Sequence, residues 1–305
     1  MSNVFVVGSM NIDLIFNTKR IPEPGETMQS ESFNMLSGGK GANQAVACSL
    51  LGTGSYMIGN VGNDLFGETI IKSLKNSSVN VDYVSRNENK STGVACIILN
   101  NDDNRIILDQ GANSDTSYIQ VSEVLNYLAC KNDILLAQLE VPVDTVLKSF
   151  SVAKQKGLKT ILNPAPAQKL PEEIYCDIDI IIPNEIEAEM ITGISSKSEN
   201  FDQEVINYFL SRGVKEVIIT KGCHGSVYGN LRELVYVDPY NVEVVDTTGA
   251  GDAFVGAIAC EVAKGRTVKN SLKFATASSA LAVTKFGAQS SMPHLFEVEE
   301  FLKRK

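Results

Sequence analysis

The sequence predicts an α/β fold: a doubly wound, mostly parallel sheet flanked by helices, with a small β-sheet lid. From Asp133 onward, short β-branched runs alternate with helical stretches, which is typical of a parallel sheet covered on both faces. The first third of the chain instead carries turn-rich β segments without helical periodicity. With 305 residues, the whole chain (1–305) is expected to form a single α/β domain to which the lid is attached.

The elements of the main sheet can be predicted in chain order from their apolar patterns. The chain opens with a strand at Val4–Gly8. Further strands are predicted at Ile134–Leu139, Thr160–Leu162, Ile178–Ile182 and Val217–Thr220. Helices are predicted at Ala45–Leu51, Val143–Lys156, Glu185–Thr192, Gln203–Arg212 and Ala253–Ala263, the last of them preceded by a β-rich segment with Val242, Val244 and Val245.

The lid is predicted from two separate segments, at about residues 14–37 and 92–110. The second segment reads as a hairpin, with a β-rich run at Thr92–Leu99, a turn at Asn100–Asn104 and a second run at Arg105–Asp109. We expect the two segments to form one small sheet over the edge of the main sheet. Two ordinary surface hairpins would give the same periodicity, so the pattern alone leaves that alternative open.

Composition and charge narrow the function classes. The apolar fraction of 44% and charged fraction of 21% are typical of a soluble globular protein, and a net charge of −9 argues against nucleic acid or an anionic membrane as partner. No apolar stretch reaches the roughly 18 residues that span a bilayer. Six scattered cysteines favour buried free thiols in the cytoplasm, and only two histidines argue against a zinc enzyme or a His-based triad.

The segment Asp246–Phe254 carries the strongest functional signal. Its glycines precede a helix, so backbone N–H groups and the positive end of the helix dipole are available to an anion, most often a phosphate. Asp252 would repel a bound phosphate. Its presence is explained if it accepts the proton of a hydroxyl that attacks that phosphate. The segment therefore predicts phosphoryl transfer, with Asp252 as the base.

A second glycine-rich turn, Ser37–Gln44, also leads into a helix. It is not a Walker A loop, because Lys40 is followed by Gly41 rather than by Ser or Thr. Lys40 and Asn43 supply the donors that sugar hydroxyls or a phosphate would need. Taken alone, the segment fits a tight turn with Asn43 near a helix start equally well.

Polar side chains also follow two of the predicted strands. Asn11 and Asp13 come after the first strand, and Glu140 ends the strand that begins at Ile134. Open α/β sheets bind ligands at the carboxyl ends of their strands, so these residues are candidates for contacts with vicinal hydroxyls. Turn formation by Asn11 and Asp13, and a helix-start charge at Glu140, explain the same residues.

Two further strand ends resemble a nucleotide site. Asn184 and Glu187 have the spacing of a capping box, but they could also orient water and Mg²⁺ around phosphates. The glycines of Thr220–Gly225 could admit a nucleotide, or could form a simple turn into the next strand.

Together these motifs resemble the signatures of ribokinase-like carbohydrate kinases of the PfkB family. The resemblance is carried by Gly38–Asn43 and Asp246–Asp252 and covers nearly the whole chain. The intervening positions match in order and spacing, namely Asn11 and Asp13, Glu140, Asn163–Pro166, Asn184 and Glu187, and Thr220–Gly225.

The resemblance implies transfer of the γ-phosphoryl group of ATP to the O5 hydroxyl of D-ribose, giving D-ribose 5-phosphate. Asp252 would be the general base, and the backbone at Gly249, Ala250, Gly251 and Asp252 would form the anion hole. Sugar contacts are implied at Asn11, Asp13, Gly39, Lys40, Gly41, Asn43, Glu140 and Asp252. ATP contacts are implied at Asn184, Thr220, Lys221, Gly222, Gly225, Gly251 and Thr276, with Glu187 acting indirectly on Mg²⁺.

The resemblance also implies an activating K⁺ ion and a homodimer. Asp246 and Thr248 match one loop of the K⁺ site, and the other loop is matched by Ala282, Lys285, Gly287 and Ser291. Lys285 would contribute only its backbone carbonyl, because an ammonium group cannot ligate a cation. The dimer would form through the lid, whose bare strand edges need covering.

Other functions remain open at this stage. Kinases for 2-deoxyribose, fructose, sugar phosphates or nucleosides share the same signatures, and a sugar-binding regulator without catalysis is a further alternative. Asn11 and Asp13 favour ribose because both can bond its 2- and 3-hydroxyls. A second substrate phosphate would need more cationic groups than Lys40, and Asp252 with its flanking glycines argues for catalysis.

Overall fold

The computed structural model describes residues 2–100 and 104–304, so the tip of the predicted turn at Asn100–Asn104 lies outside the described residues. The strands are β1 (Val4–Val7), β2 (Asn11–Asn17), β3 (Ser32–Gly38), β4 (Ser55–Gly62), β5 (Asn80–Asn87), β6 (Gly93–Leu99), β7 (Asn104–Asp109), β8 (Ile134–Ala137), β9 (Lys159–Leu162), β10 (Ile180–Ile181), β11 (Glu216–Thr220), β12 (Ser226–Gly229) and β13 (Leu234–Val237). The α-helices are α1 (Lys40–Leu50), α2 (Leu65–Asn76), α3 (Tyr118–Leu128), α4 (Val143–Gln155), α5 (Glu185–Thr192), α6 (Phe201–Ser211), α7 (Ala250–Ala263), α8 (Val268–Ala282) and α9 (Leu295–Lys303).

Most of these strands form one large sheet, in the order β13-β12-β11-β10-β9-β8-β1-β4-β5. The strands from β5 across to β11 are parallel, and β12 and β13 are added antiparallel at one edge. The chain winds from β1 through β4 to β5, then returns and winds the other way from β8. This confirms the predicted doubly wound fold, and it creates a switch point between β1 and β8, where open α/β sheets bind ligands.

The core lies on both faces of this sheet. Along β1, Val4 and Val6 pack into one apolar cluster with α1, α7 and α8, while Phe5 and Val7 pack into the other with α3, α4 and α6. All four side chains are fully buried. Burial on both faces explains why the strands of the main sheet read as continuous apolar runs rather than as alternating ones.

Helices α1 and α7 approach each other closely, and this contact positions the site. An added Cβ at Gly256 of α7 would lie 2.5 Å from the Cβ of Ala47 of α1, so only glycine allows the observed approach. Nearly every residue of α7 from Asp252 onward is buried, which fits its run of small and apolar side chains. The close packing brings the first turns of the two helices side by side.

The predicted small sheet is present, with the order β3-β2-β6-β7. Each of the two chain segments forms an antiparallel pair, and the pairs are joined by the parallel contact of β2 with β6. This confirms one sheet from two segments rather than two separate hairpins. Several large apolar side chains on it are exposed, among them Phe33, Met35, Ile106 and Ile107.

Some local expectations were wrong. Helix α1 begins at Lys40 and α7 at Ala250, several residues earlier than their apolar periodicity indicated. The segment with Val244 and Val245 forms no strand, and both side chains are exposed, because β propensity depends on a partner strand and a surface to pack on.

The cysteines also differ from the prediction of buried thiols. All six are free, but only Cys48 and Cys260 are buried, and Cys130, Cys176 and Cys223 are exposed. Within the described residues, no helix is long and apolar enough to cross a membrane.

Candidate active site

The predicted sugar-side residues meet at the switch point between β1 and β8. Asn11 and Asp13 lie within β2 rather than in a loop, because the chain passes from β1 through three residues directly into the small sheet. Glu140 follows β8, and Lys40 is the first residue of α1. The site therefore lies where the small sheet meets the carboxyl edge of the large one.

Glu140 is bound to the start of α1. The hydroxyl of Ser9 donates to Oε2 of Glu140, and the N–H of Lys40 donates to the same oxygen at 3.2 Å. Ser9 Oγ in turn accepts the N–H of Gly41 at 3.4 Å. Glu140 therefore binds the N-terminus of α1 rather than that of the helix that follows it, and its contact with a ligand stays a prediction.

Asn11 is oriented by Asn113, which the sequence analysis did not identify. Asn113 accepts the N–H of Met10 at 2.9 Å and donates from Nδ2 to the Oδ1 of Asn11 at 2.8 Å. Because Oδ1 of Asn11 is engaged, its NH₂ group remains to donate to a ligand. No local signal could identify Asn113, since it lies 102 positions from Asn11 in the chain.

The glycines of the first motif are needed for close backbone approach. Gly39 has φ = +90°, and an added Cβ there would lie 2.7 Å from the backbone N of Asn11. An added Cβ at Gly38 would lie 2.2 Å from Oδ2 of Asp13. At Gly41 it would lie 2.6 Å from the backbone of Gly8 and Ser9, which follow β1. Asp13 is thus held directly over the glycine turn, and any side chain would displace it.

Four carboxylates surround a single ammonium group. Burial raises the pKa of Asp13 to about 7, and the charges of Glu140 and Asp252 add to this, while Lys40 opposes it. For Lys40, burial favours the neutral amine, but Asp252, Glu140, Glu187 and Asp13 outweigh burial and raise its pKa. Lys40 therefore remains charged and offsets part of the carboxylate repulsion.

Asp252 is held at two points. Its Oδ2 accepts a hydrogen bond from Nδ2 of Asn43 at 2.8 Å, and its Oδ1 accepts one from Nε2 of Gln44 at 2.9 Å. The side chain is 8% exposed, at the first turn of α7. Restraint and low exposure are the features expected of a general base, and that role of Asp252 stays a prediction.

The residues predicted to form an anion hole lie at the first turn of α7. Gly249 precedes the helix with φ = +78°, and an added Cβ would lie 3.0 Å from Cα of Ala288. The N–H of Ala250 already donates to the carbonyl of Thr247 at 3.2 Å. Among the described residues, no backbone carbonyl accepts the N–H groups of Gly251 and Asp252, which are the donors that a helix N-terminus leaves free.

On the nucleotide side, Asn184 and Glu187 form the predicted capping box. The side chain of each accepts the backbone N–H of the other, both at 2.8 Å. Burial raises the pKa of Glu187, and the charge of Asp252 adds to this. The hydrogen bond from the N–H of Asn184 and the charge of Lys40 lower the pKa but do not outweigh burial. Glu187 therefore caps α5 and also interacts electrostatically with Asp252 and Lys40.

The turn Thr220–Gly225 lies beside Asn184, which forms a parallel bridge with Thr220. Gly225 has φ = +82° and an added Cβ would lie 2.0 Å from the carbonyl oxygen of Val237, whereas Gly222 has open space around it. The ammonium of Lys221 is engaged elsewhere, 2.9 Å from Oδ1 of Asp202. The ammonium of Lys221 is thus paired within the fold, whereas the side chains of Cys223 and His224 in the same turn are exposed.

Thr276, predicted to contact ATP, has its hydroxyl proton engaged within its own helix. It is buried in α8, and its hydroxyl donates to the carbonyl of Leu272 in the same helix at 2.9 Å.

The two loops predicted to hold K⁺ are joined by Asp246. Its Oδ1 accepts the N–H of Thr248 at 2.9 Å, and its Oδ2 accepts the N–H of Gly287 at 2.9 Å. Burial alone would raise the pKa of Asp246, but the hydrogen bonds from Thr248 and Gly287 outweigh burial and lower it. The ammonium of Lys285 pairs with Glu297 at 2.8 Å.

Two further groups of these loops have partners of their own. The carbonyl of Ala282 accepts the N–H of Lys285 at 3.2 Å, and the hydroxyl of Ser291 donates to the carbonyl of Ala288 at 2.8 Å. Within the described residues, no group of three or more His, Cys, Asp or Glu side chains could hold a metal ion. A K⁺ site at these loops stays a prediction.

A family model described as pfkB family carbohydrate kinase matches residues 1–295. The chain belongs to the pfkB family of carbohydrate kinases. It is therefore a sugar kinase, a phosphotransferase with an alcohol as acceptor, as the two motifs predicted.

Relatives of this pfkB-family chain match over almost its full length. A ribokinase of Schizosaccharomyces pombe is 41% identical, with 98% of this chain and 97% of the relative covered. A ribokinase of Staphylococcus aureus is 36% identical, covering 98% and 99%. A deoxyribokinase of Salmonella typhi is 34% identical, covering 98% of each.

Solved structures give the same fold. The ribokinase of Arabidopsis thaliana complexed with ribose and ATP has a TM-score of 0.91 and 32% identity, with 99% of both chains covered. An Escherichia coli protein solved with ATP and Mg²⁺ has a TM-score of 0.84 and 27% identity, with both chains covered completely.

Cavity volume alone does not identify this candidate active site. Two surface cavities of about 550 and 530 Å³ lie elsewhere, one near Asp133 and Lys159 at the amino ends of the strands, the other between α6 and β13. Neither is lined by a predicted site residue. The convergence of polar groups at the switch point is the distinguishing feature, and it includes Ser9, Gln44 and Asn113, which sequence reasoning missed.

Proposed function

We propose that the protein transfers the γ-phosphoryl group of ATP to O5 of D-ribose, giving D-ribose 5-phosphate. The observation that carries the proposal is the position of Asp252. Its carboxylate is held by Asn43, one of the predicted sugar-side residues, and it lies in the first turn of the helix whose unpaired N–H groups could receive a phosphoryl group. The strong likeness of the chain to ribokinases, including one complexed with ribose and ATP, supports the choice of substrates.

In the proposed reaction, O5 of ribose attacks the γ-phosphorus while Asp252 accepts the O5 proton. The bond between the γ-phosphorus and the β–γ bridging oxygen breaks, and ADP leaves with the electron pair. The N–H groups of Gly251 and Asp252 and the dipole of α7 would stabilise charge on the transferring group. Donors aimed at developing charge are usually the largest catalytic effect, with about 10²–10³ in kcat lost for each one removed.

The sugar would be held by the residues at the junction with the small sheet. The NH₂ group of Asn11 and the carboxyl of Asp13 would bond the 2- and 3-hydroxyls. Asn43, Glu140, the backbone of Gly39 and Gly41, and the ammonium of Lys40 would contact the remaining oxygens. Asp13, with its raised pKa, can act as a donor when protonated and as an acceptor when ionised.

The nucleotide would lie along the edge formed by Asn184 and the turn Thr220–Gly225, with its γ-phosphate at Gly251. Lys221 would contribute only its backbone, since its side chain pairs with Asp202. Thr276 would contribute only to the shape of the pocket. These assignments rest on the adjacency of Asn184 and Thr220 and on the open space around Gly222.

The residues present fit Mg²⁺ delivered with ATP. Mg²⁺ prefers oxygen ligands and usually keeps several waters while binding one or two carboxylates and the phosphates. Glu187 would act on Mg²⁺ indirectly, because one of its two carboxylate oxygens already accepts the N–H of Asn184. When bound, Mg²⁺ would offset the negative charge of the β- and γ-phosphates.

The loops at Asp246 and Gly287 fit a K⁺ ion. The lowered pKa of Asp246 keeps its carboxylate ionised, and carbonyl oxygens of Ala282, Lys285 and Gly287 lie in the adjoining loop. Such an ion would order Thr248 and the following anion hole. Equal turnover in K⁺ and in a large organic cation such as tetramethylammonium would refute this role.

A homodimer through the small sheet forms part of the proposal. Strands β3 and β7 are its edges, and unpaired edges attract further strands. The exposed Phe33, Met35 and Ile107, which the strand register places on one face, add an apolar surface that a second copy would cover. A monomeric mass at micromolar concentration would refute the dimer. A cytoplasmic location, suggested by six unpaired cysteines, completes the proposal.

The experiment is a coupled assay of ATP consumption with a panel of pentoses, hexoses and nucleosides, in K⁺ and without it. We expect D-ribose to give the highest kcat/KM and phosphorus NMR to locate the phosphate on O5. 2-Deoxyribose is the specific second candidate, because the Salmonella typhi deoxyribokinase covers the whole chain. A higher kcat/KM for 2-deoxyribose would overturn the ribose assignment, and no sugar-dependent turnover would favour a regulator.

A further inference from the structure

A buried chain of amide side chains lies behind Asp252. Nε2 of Gln44 donates to Oδ1 of Asp252 at 2.9 Å and also to Oδ1 of Asn163 at 3.0 Å. Nε2 of Gln138 donates to Oε1 of Gln44 at 2.6 Å. Asn163 completes the chain by donating to the carbonyl of Ile182 at 2.9 Å. Gln44 and Gln138 are fully buried, so no water competes for these bonds.

The carboxylate at one end determines the direction of every bond in the chain. An ionised Asp252 only accepts, so Gln44 must present its NH₂ group to it. Oε1 of Gln44 then points away, and Gln138 must donate to it. A rotated Gln44 amide would place its oxygen against the carboxylate and its NH₂ group against that of Gln138. Both contacts are repulsive, which leaves a single favourable arrangement.

The chain also connects rigid elements. Gln138 directly follows β8, Asn163 follows β9, and Gln44 and Asp252 lie on α1 and α7. Asn43 and Gln44 hold different oxygens of Asp252, so together they prevent rotation of the carboxylate about its Cβ–Cγ bond. With Gln44 removed, only the bond from Asn43 would remain and the carboxylate could turn.

We propose that Gln44 is a positioning residue for the base, and that Gln138 keeps the Gln44 amide in its donating orientation. The proposal rests on the function assigned to Asp252 above. Gln44 would hold the carboxylate plane toward the sugar hydroxyl. Gln138 would act on Asp252 through Gln44, two hydrogen bonds away, without touching Asp252 or the substrates.

The first test is Gln44→Leu, with Gln120→Leu as a matched control. Gln120 also donates from its amide, to the carbonyl of Gly59 at 3.0 Å, but it lies away from the site. We expect Gln44→Leu to lower kcat by 10-fold or more, with KM for ribose changed by less than threefold. Gln120→Leu should leave kcat unchanged even if its melting temperature falls.

Two isosteric variants test the orientation argument and keep the shape of the core. In Gln44→Glu, the introduced carboxyl can donate to Asp252 only while protonated, so the ratio of variant to wild-type kcat should fall as pH rises. In Gln138→Glu, the introduced carboxylate accepts rather than donates, so it should reverse the Gln44 amide and lower kcat. Gln138→Met, which removes the donor without reversing it, should have a smaller effect.

The outcomes separate this proposal from the proposed function. If the wild-type protein shows no ribose-dependent ATP consumption, the proposed function fails. If wild type turns over and Gln44→Leu keeps its kcat, only the positioning role fails. If Gln44→Leu does not fold, the pH-dependent ratio for Gln44→Glu and the order of the two Gln138 variants decide. A pH-independent ratio with equal Gln138 variants would refute the proposal.

Discussion

Replacement of Asp252 by Asn removes the proposed base with almost no change in shape. The carboxylate accepts from two donors, Nδ2 of Asn43 at 2.8 Å and Nε2 of Gln44 at 2.9 Å. An amide has one oxygen, so one of these donors would lose its acceptor. A positioned general base contributes about 10²–10⁴ in rate, which corresponds to about 2.7–5.4 kcal/mol of transition-state stabilisation. We therefore expect kcat to fall by at least 10²-fold.

Ribose binding should survive this substitution. Asn11 and Glu140 keep their own partners, and neutralising Asp252 removes a charge that raises the pKa of Asp13. The assay is coupled ADP detection for kcat, with titration calorimetry for ribose affinity. A variant that retained more than about a tenth of wild-type kcat would refute the assignment of Asp252. Loss of ribose binding in step with kcat would instead indicate a damaged site.

Three further predictions follow from the same geometry. The raised pKa of Asp13, about 7 against 3.8, means that the folded protein binds a proton more tightly than the unfolded chain. The free energy of unfolding should therefore fall between about pH 4 and pH 7. Asp13→Asn should flatten that dependence in denaturant titrations. Gly249→Ala forces a side chain into φ = +78° and should lower stability by about 1–2 kcal/mol, together with kcat. Gly251→Ala, with open space around its Cβ, should leave the melting temperature nearly unchanged. Asn113→Ala frees the Asn11 amide to rotate, so KM for ribose should rise. The ratio of kcat/KM for ribose to that for 2-deoxyribose should fall. An unchanged ratio would show that Asn113 does not orient Asn11.

The sequence was most informative where structure depends on nearby residues. Alternating strands and helices identified the doubly wound sheet, because burial on both faces requires continuous apolar strands. The capping box of Asn184 and Glu187 was visible from spacing, since its bonds join residues three positions apart. Local patterns failed at Val244 and Val245, where the apolar residues found no strand to pair with.

The candidate active site shows which features follow from neighbouring residues in the sequence and which depend on tertiary packing. Glycines, a carboxylate and a following helix sufficed to predict an anion site with Asp252 as its base, because these features are contiguous in the chain. Which groups hold that base was decided only by packing: Asn43 lies 209 positions from Asp252, and the Gln44–Gln138 bond spans 94 positions. These contacts exist because α1 and α7 pack closely at Gly256 and because β8 lies beside β1. A linear sequence specifies the side chains that can bond, whereas the sheet order determines which of them meet.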